Sequence, residues 1–156
     1  MGARYKNRMH WSPQPAAGLP DLILFDGDCV LCSRWARWID RHDAGRRFRF
    51  VAIQSEAGEA LARRFAVRPH DPETNIVVLE GLAYFKLDAA WAVFRALGMR
   101  GWSAALRAPP PPLRHWLYDR IARNRYRLFG RRASCLAPSS SVRARLIERE
   151  AELVCA

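Results

Sequence analysis

The clearest pattern along the chain is an unbroken apolar run, Leu22 to Phe25, that ends at Asp26-Gly27-Asp28. A short continuous apolar run of this kind predicts a buried strand, of the sort found in parallel sheets. The period then changes. Val30, Leu31, Trp35, Trp38 and Ile39 recur at helical spacing with arginines between them, predicting an amphipathic helix from Val30 to His42. Arg47 to Ile53 alternates and then turns apolar, as a second strand does. Ser55 is placed to cap a helix from Glu56 to Phe65. His70 to Pro72 reads as a turn. Asn75 to Phe85 holds two apolar runs around Glu80-Gly81, the signal of a hairpin. Asp88 is expected to cap a helix to Leu97, stopped by Gly98.

The predicted order is β-α-β-α-β-β-α. The first strand-helix-strand unit implies parallel pairing through a right-handed crossover, and the hairpin adds antiparallel strands. The fold class is therefore an α/β sandwich around a mixed sheet of about four strands. Residues 1–20, rich in Pro, Ala and Gly, read as a flexible arm before an α/β domain over 21–99. Residues 100–156 are expected to form a helical extension packed on the core, with a proline spacer at 109–112. A helix is expected from Leu113 to Phe129, with Leu113, Trp116, Leu117, Ile121 and Leu128 marking one face. Trp116, Tyr118, Tyr126 and Phe129 are expected to pack on the core, leaving the arginines in water. A last helix is expected from Ser141 to Val154, with Val142, Leu146 and Leu153 inward.

Composition adds constraints. The chain has 156 residues, half of them hydrophobic, enough for a core without disulfide staples. The net charge of +11 is uneven: residues 1–99 carry 14 basic and 11 acidic groups (+3), residues 100–156 carry 12 and 4 (+8). All but Lys6 and Lys86 of the 26 basic residues are arginines, which fits the coding bias of a GC-rich genome on a solvated surface. Nucleic acid is not expected as a partner. No apolar stretch is long enough to span a bilayer, and residues 1–20 lack a run of signal-peptide length. The expected location is cytoplasmic.

The candidate chemistry lies where the first strand ends. Cys29 would sit at the first turn of the following helix. Free backbone N–H groups and the helix dipole favour thiolate over thiol there. Cys32 lies one turn on, along the same face, placed to attack a mixed disulfide at Cys29. Asp28 is a candidate helix cap. Asp26, at the strand end, is a candidate proton acceptor for Cys32; otherwise both aspartates shape the turn, with Gly27 at an unusual backbone angle. Trp35 is expected to pack beneath the site. No cofactor is required, because two sulfurs hold the electrons. The partners would be protein or small-molecule thiols and disulfides.

"FDGDCVLC" resembles the D-x-x-C-x-x-C signature of the DCC family (YuxK-like, DUF393) of predicted thiol-disulfide oxidoreductases. "YDRIARNRYRLFGRRASC", Tyr118 to Cys135, is similar to that family's C-terminal Y-x-x-I-A-x-N-R-Y-x-x-F-G segment with its following cysteine. "EGLAYFKLDAAWAVFRALG" is similar to its hairpin-to-helix segment. The resemblance covers residues 21 to 147. It implies a thioredoxin-like fold with a helical C-terminal extension, and Asp26, Cys29 and Cys32 as the site. Two positions depart from pattern. Thioredoxin-like proteins place a cis-proline just before the strand facing the dithiol, where this chain has Glu73 and Thr74, so Thr74 is a candidate stand-in. Leu87 occupies a position where the family often has serine.

Three alternatives follow from the same residues. "LILFDGD" also fits the D-x-D of haloacid dehalogenase-like phosphatases, although Cys29-Val30 replaces their Gly-Thr and Lys86 is the only later lysine. A zinc site would need two ligands beyond Cys29 and Cys32, while Cys135, Cys155 and the four histidines are scattered. The arginine-bearing helix 113–129 could serve a basic nucleic-acid or lipid-binding module. Cys135 is either a buried small hydrophobe or a third thiol near the pair.

Overall fold

The computed structural model describes residues 11–70, 72, 74–131 and 139–155, the side chain of Cys155 aside. The strands are β1 (Gln14–Pro15), β2 (Leu22–Phe25), β3 (Arg49–Ala52), β4 (Ile76–Leu79) and β5 (Leu82–Phe85). The helices are α1 (Val30–His42), α2 (Glu56–Arg64), α3 (Lys86–Ala96), α4 (Arg100–Arg107) and α5 (Pro111–Phe129). Two single-turn helices follow, α6 (Ser140–Arg143) and α7 (Glu152–Cys155).

The strands form one mixed sheet in the order β1-β5-β4-β2-β3. β2 pairs parallel with β3 and antiparallel with β4, so the apolar run Leu22–Phe25 lies inside the sheet, as its pattern demands. Alternate residues split between two cores. Leu22, Leu24, Val51 and Ile76 face α2. Ile23, Phe50, Val77 and Tyr84 face α1 and α3. The β4–β5 hairpin turns at Glu80 and Gly81, both with positive φ (53° and 76°), the geometry of a type I′ turn. Ser55 Oγ accepts from the Gly58 N–H at 3.1 Å and caps α2 as its position predicts. The β-α-β-α-β-β-α core and its thioredoxin-like class stand as expected.

Several boundaries differ. The arm is not loose throughout: Gln14 and Pro15 pair with β5, Ala16 is buried, and Trp11 packs on the core. The sheet thus has five strands. α3 begins at Lys86, and its N-cap is Phe85. Asp88 lies inside the first turn, 3.5 Å from Arg114, instead of capping. α4, unexpected from sequence, packs on α3, with Trp102 stacked 6.1 Å from Phe94. The expected Ser141–Val154 helix is broken. Its middle is drawn to the β3 edge, where Arg145 O accepts from Phe50 N and Ile147 N donates to Phe50 O. Arg145 anchors that segment to the end of α1, pairing with Asp40 and, at 2.6 Å, Asp43.

α5 departs most from expectation. Pro111 starts it, as proline can in a first helical turn. Its buried side is polar. Arg114 reaches Asp88, Lys86 Nζ meets Asp119 at 2.7 Å, and the Tyr118 hydroxyl donates to Asn75 Oδ1 while accepting from Asn75 N. Leu113, Trp116, Leu117, Ile121, Leu128 and Phe129 are exposed. Tyr118 and Tyr126 do turn inward, but Trp116 and Phe129 do not, because a ladder of ion pairs and hydrogen bonds fixes the opposite face to the domain. No helix of the described residues is long and apolar enough to cross a membrane.

Candidate active site

The sheet places the site by carrying β2 to Phe25 and releasing the chain into a tight turn. Asp26 Oδ1 accepts from the Asp28 N–H at 3.0 Å, which closes the turn. Cys29 N donates to Asp26 O at 3.2 Å. Gln54, just after β3, braces the turn from the side: its Oε1 accepts from Gly27 N at 3.0 Å and its Nε2 donates to Asp26 Oδ1 at 2.7 Å. Among the described residues the glycines with positive φ are Gly18, Gly81, Gly98 and Gly130; Gly27 is not among them, so its unusual angle is not found. With no unusual angle needed, Gly27 is instead held by bonds, its carbonyl accepting from Ser33 Oγ at 3.4 Å.

Cys29 itself is the N-cap of α1, and its Sγ accepts from the Cys32 N–H at 3.4 Å. The sulfur does what a capping oxygen usually does. Asp28 does not cap; it sits 3.8 Å from Arg131. The Cys32 side chain also donates to Cys29. That bond is the main reason the Cys29 pKa is lowered from 9.0 to about 6; the Cys32 N–H and the Arg125 charge help, while burial and Asp26 oppose. Cys32 is driven the other way, chiefly because it is the donor, then by burial and by the Cys29 and Asp26 charges. The pair therefore holds one ready ion and one tightly kept proton.

Access to the two sulfurs differs. Cys29 has 0% of its surface exposed, and its backbone pairs with that of Arg131 just after α5. Cys32 is partly exposed and lines a cavity of about 80 Å³. Asp26, Thr74, Tyr118, Ile121 and Arg125 share that cavity wall. Thr74 stands where sequence placed a stand-in for proline: its Oγ1 accepts from Lys86 N and donates to Asn75 O, both at 2.7 Å. No peptide bond among the described residues is cis. Trp35 is not beneath the pair. It stacks 5.1 Å from Trp38 and packs against Phe94, drawn into the aromatic cluster between α1 and α3.

Asp26 is 5% exposed and fully engaged. Besides Asp28 N and Gln54, its Oδ2 accepts from the Tyr126 hydroxyl and lies 3.6 Å from Arg125 Nη2. Arg125 Nη2 also donates to Tyr126 at 3.0 Å, and its Nη1 donates to Pro72 O at 2.9 Å. Burial, then the bond to Asp26, pushes the Tyr126 pKa up to about 12, so the phenol stays a donor. A carboxylate with both oxygens bonded fits poorly the attacking role a phosphatase would require. Among the described residues no group of three or more His, Cys, Asp and Glu side chains converges. Cys135 lies outside the described residues. Gln54, Arg125 and Tyr126 were not expected at the site: Tyr126 was expected only to pack on the core, and Arg125, expected in water, is buried.

A paired cysteine motif at the start of the helix that leaves the central sheet defines a thioredoxin-like dithiol protein. The chain belongs to the DCC1-like thiol-disulfide oxidoreductase family, whose model matches residues 23–131. It is 34% identical over 129 residues to the uncharacterized protein YuxK of Bacillus subtilis, covering 81% of this chain and 93% of the relative. It is 35% identical over 116 residues to a chloroplastic DCC family protein of Arabidopsis thaliana, covering 73% and 67%. No solved structure matches the chain.

Proposed function

We propose that this chain catalyses thiol-disulfide exchange through Cys29 and Cys32, with Asp26 as proton acceptor. The observation that carries the proposal is the geometry of the pair: Cys29 caps α1 and its Sγ accepts from the Cys32 N–H at 3.4 Å, an arrangement that favours the Cys29 thiolate. Thiolate is the attacking species in exchange, and at pH 7 a thiol with a pKa of about 6 is about ten parts ionised to one part not.

In the first step Cys29 Sγ attacks one sulfur of a substrate disulfide. The substrate S–S bond breaks, its other sulfur leaves as thiolate, and a mixed disulfide joins Cys29 to the substrate. In the second step Cys32 gives up its proton and attacks Cys29 Sγ. The mixed disulfide breaks, the second substrate sulfur leaves, and the protein holds a Cys29–Cys32 disulfide. The substrate has gained two electrons and the protein has lost two. A dithiol partner returns them by the same steps in reverse, and a net oxidant runs the cycle backward.

Asp26 supports the second step because it lines the same cavity as Cys32 and raises that thiol's hold on its proton while unprotonated. Accepting the proton removes the charge that opposes Cys32 ionisation. Entry to Cys29 requires its backbone pair with Arg131, which lies beyond the last residue of α5, to part. The test is reduction of a protein disulfide, insulin for example, by a small dithiol. Cys29→Ser should abolish the acceleration, and Asp26→Asn should slow release of the mixed disulfide trapped at Cys29. Full activity in Cys29→Ser would overturn the proposal.

A further inference from the structure

α5 buries its polar side and turns its apolar side outward. Leu113, Leu117 and Ile121 follow one another at four-residue intervals along the exposed surface, and Leu128 extends that strip with 66% of its surface open. Beside the strip, Arg120, Arg123 and Arg127 are exposed, with Trp116 among them at 58%. The helix contains one acidic residue, Asp119, and Lys86 occupies it at 2.7 Å. The outward face is therefore apolar along one side and cationic along the other.

Its position connects it to the dithiol. Ile121 is part of the strip and also lines the cavity that reaches Cys32. A polypeptide lying along the strip passes the mouth of that cavity. A hydrophobic strip left in water is the mark of an interaction surface, and arginines of one sign beside it select the sign of the partner. A second copy of this chain does not suit: a two-fold contact through this face would set arginines against arginines.

We infer that the outward face of α5 is the docking surface for a protein substrate, and that the segment flanking its target disulfide carries large apolar side chains with Asp or Glu beside them. The inference rests on the exchange chemistry proposed for Cys29 and Cys32 and names the substrate class that chemistry serves. Apolar side chains cover Leu113, Leu117 and Leu128, while the carboxylates meet Arg120, Arg123 and Arg127. The cysteine is thereby brought to the cavity mouth before any bond is exchanged.

Two synthetic peptide disulfides test this, identical in cysteine spacing, one flanked by Leu and Glu and the other by Ser and Lys. The full chain should reduce the first with a kcat/KM about tenfold or more above the second, and the preference should shrink as salt rises. Leu117→Ser and Arg127→Ser should raise KM for the Leu/Glu peptide and leave turnover of hydroxyethyl disulfide, a small neutral substrate, unchanged. Binding of the same peptides with serine in place of cysteine, read by Trp116 fluorescence, reports docking separately from chemistry. Loss of hydroxyethyl disulfide turnover in the unaltered chain would sink the dithiol reading, and docking would still be judged by the fluorescence titration. Equal affinity for the two serine peptides would overturn the docking inference. So would binding to phosphatidylglycerol vesicles that Leu117→Ser and Arg127→Ser abolish while the peptide preference survives, because the face would then serve a lipid surface.

Discussion

Replacing Cys32 by alanine removes the donor that lowers the Cys29 pKa most. The fall from 9.0 to about 6 corresponds to an upper bound of about 4 kcal/mol of preference for the thiolate. In Cys32→Ala the backbone N–H of residue 32 and the Arg125 charge still favour ionisation, while burial and Asp26 still oppose it. The Cys29 midpoint should therefore rise by more than a unit toward 9.0, so that at pH 7 the thiol form overtakes the thiolate. Cys32→Ser, which keeps a hydroxyl donor, should fall between. The assay is thiolate ultraviolet absorbance against pH, with the Cys29→Ser curve subtracted. Absorbance suits a covered sulfur, whereas alkylation would mix ionisation with access. A depressed pKa also sets the sign of the stability effect. The contribution of Cys29 to the reduced fold is complete above 9.0, shrinks as pH falls, and is gone below about 6. Cys32→Ala should flatten that slope. A Cys32→Ala midpoint that stays at about 6 would refute the hydrogen-bond account of the ionised sulfur.

Other parts of the fold give sharp tests. Tyr126→Phe deletes one donor to Asp26 and should cost about 1.5–3 kcal/mol in urea unfolding, the range for a hydrogen bond to a charged group; a cost near zero would mean the bond is not formed in solution. Arg145→Ala leaves Asp40 and Asp43 buried without their partner and should cost about 3–5 kcal/mol. The same variant should free the segment after α6 from β3, visible as faster amide exchange at Phe50 and Ile147. Gly58→Ala puts a methyl 2.0 Å from Ala52 O and 2.6 Å from Ile53 Cα, so α2 must shift off β3. Its thermal midpoint should fall, by about 1–3 kcal/mol in stability, and an unchanged midpoint would contradict the packing of α2 on β3.

What could be read from the chain follows from the range of the forces involved. The β2 run, the α1 period and the Glu80-Gly81 turn are local signals, and each formed where its residues predict. Cys29 and Cys32 were legible for the same reason, since helix geometry alone brings residues three apart onto one face. Their electrostatics were only half legible. Asp26 was expected as a proton acceptor, but its fixed partners Gln54, Arg125 and Tyr126 lie 28 to 100 positions away. Nothing local in "NRY" announces that its arginine and tyrosine close over a distant turn.

The failures have physical causes too. Two residues of β1 carry no period, and only pairing with β5 makes them a strand. The Ser141–Val154 pattern is helical on paper, yet Arg145 gains two buried carboxylates and the β3 edge gains a partner if the helix breaks. For α5 the rule that apolar faces turn inward gave the wrong orientation. Lys86, Asp88, Asn75 and Asp26 offer the domain surface beneath α5 as a polar floor, and Arg114, Tyr118, Asp119, Arg125 and Tyr126 satisfy it. The apolar strip was left outside, facing water.

The central claim is that Cys29 and Cys32 form a reversible dithiol whose leading sulfur is ionised at neutral pH. Its most direct measurement is the reduction potential of that pair against pH, by equilibration in thiol buffers and trapping. The account predicts one Cys29–Cys32 disulfide and a potential within about −270 to −120 mV. The potential should fall by about 59 mV per pH unit below a break at about 6, and by about 30 mV per unit above it, where one proton accompanies two electrons. A straight two-proton line through pH 8, or no disulfide between these cysteines at any potential, would contradict it.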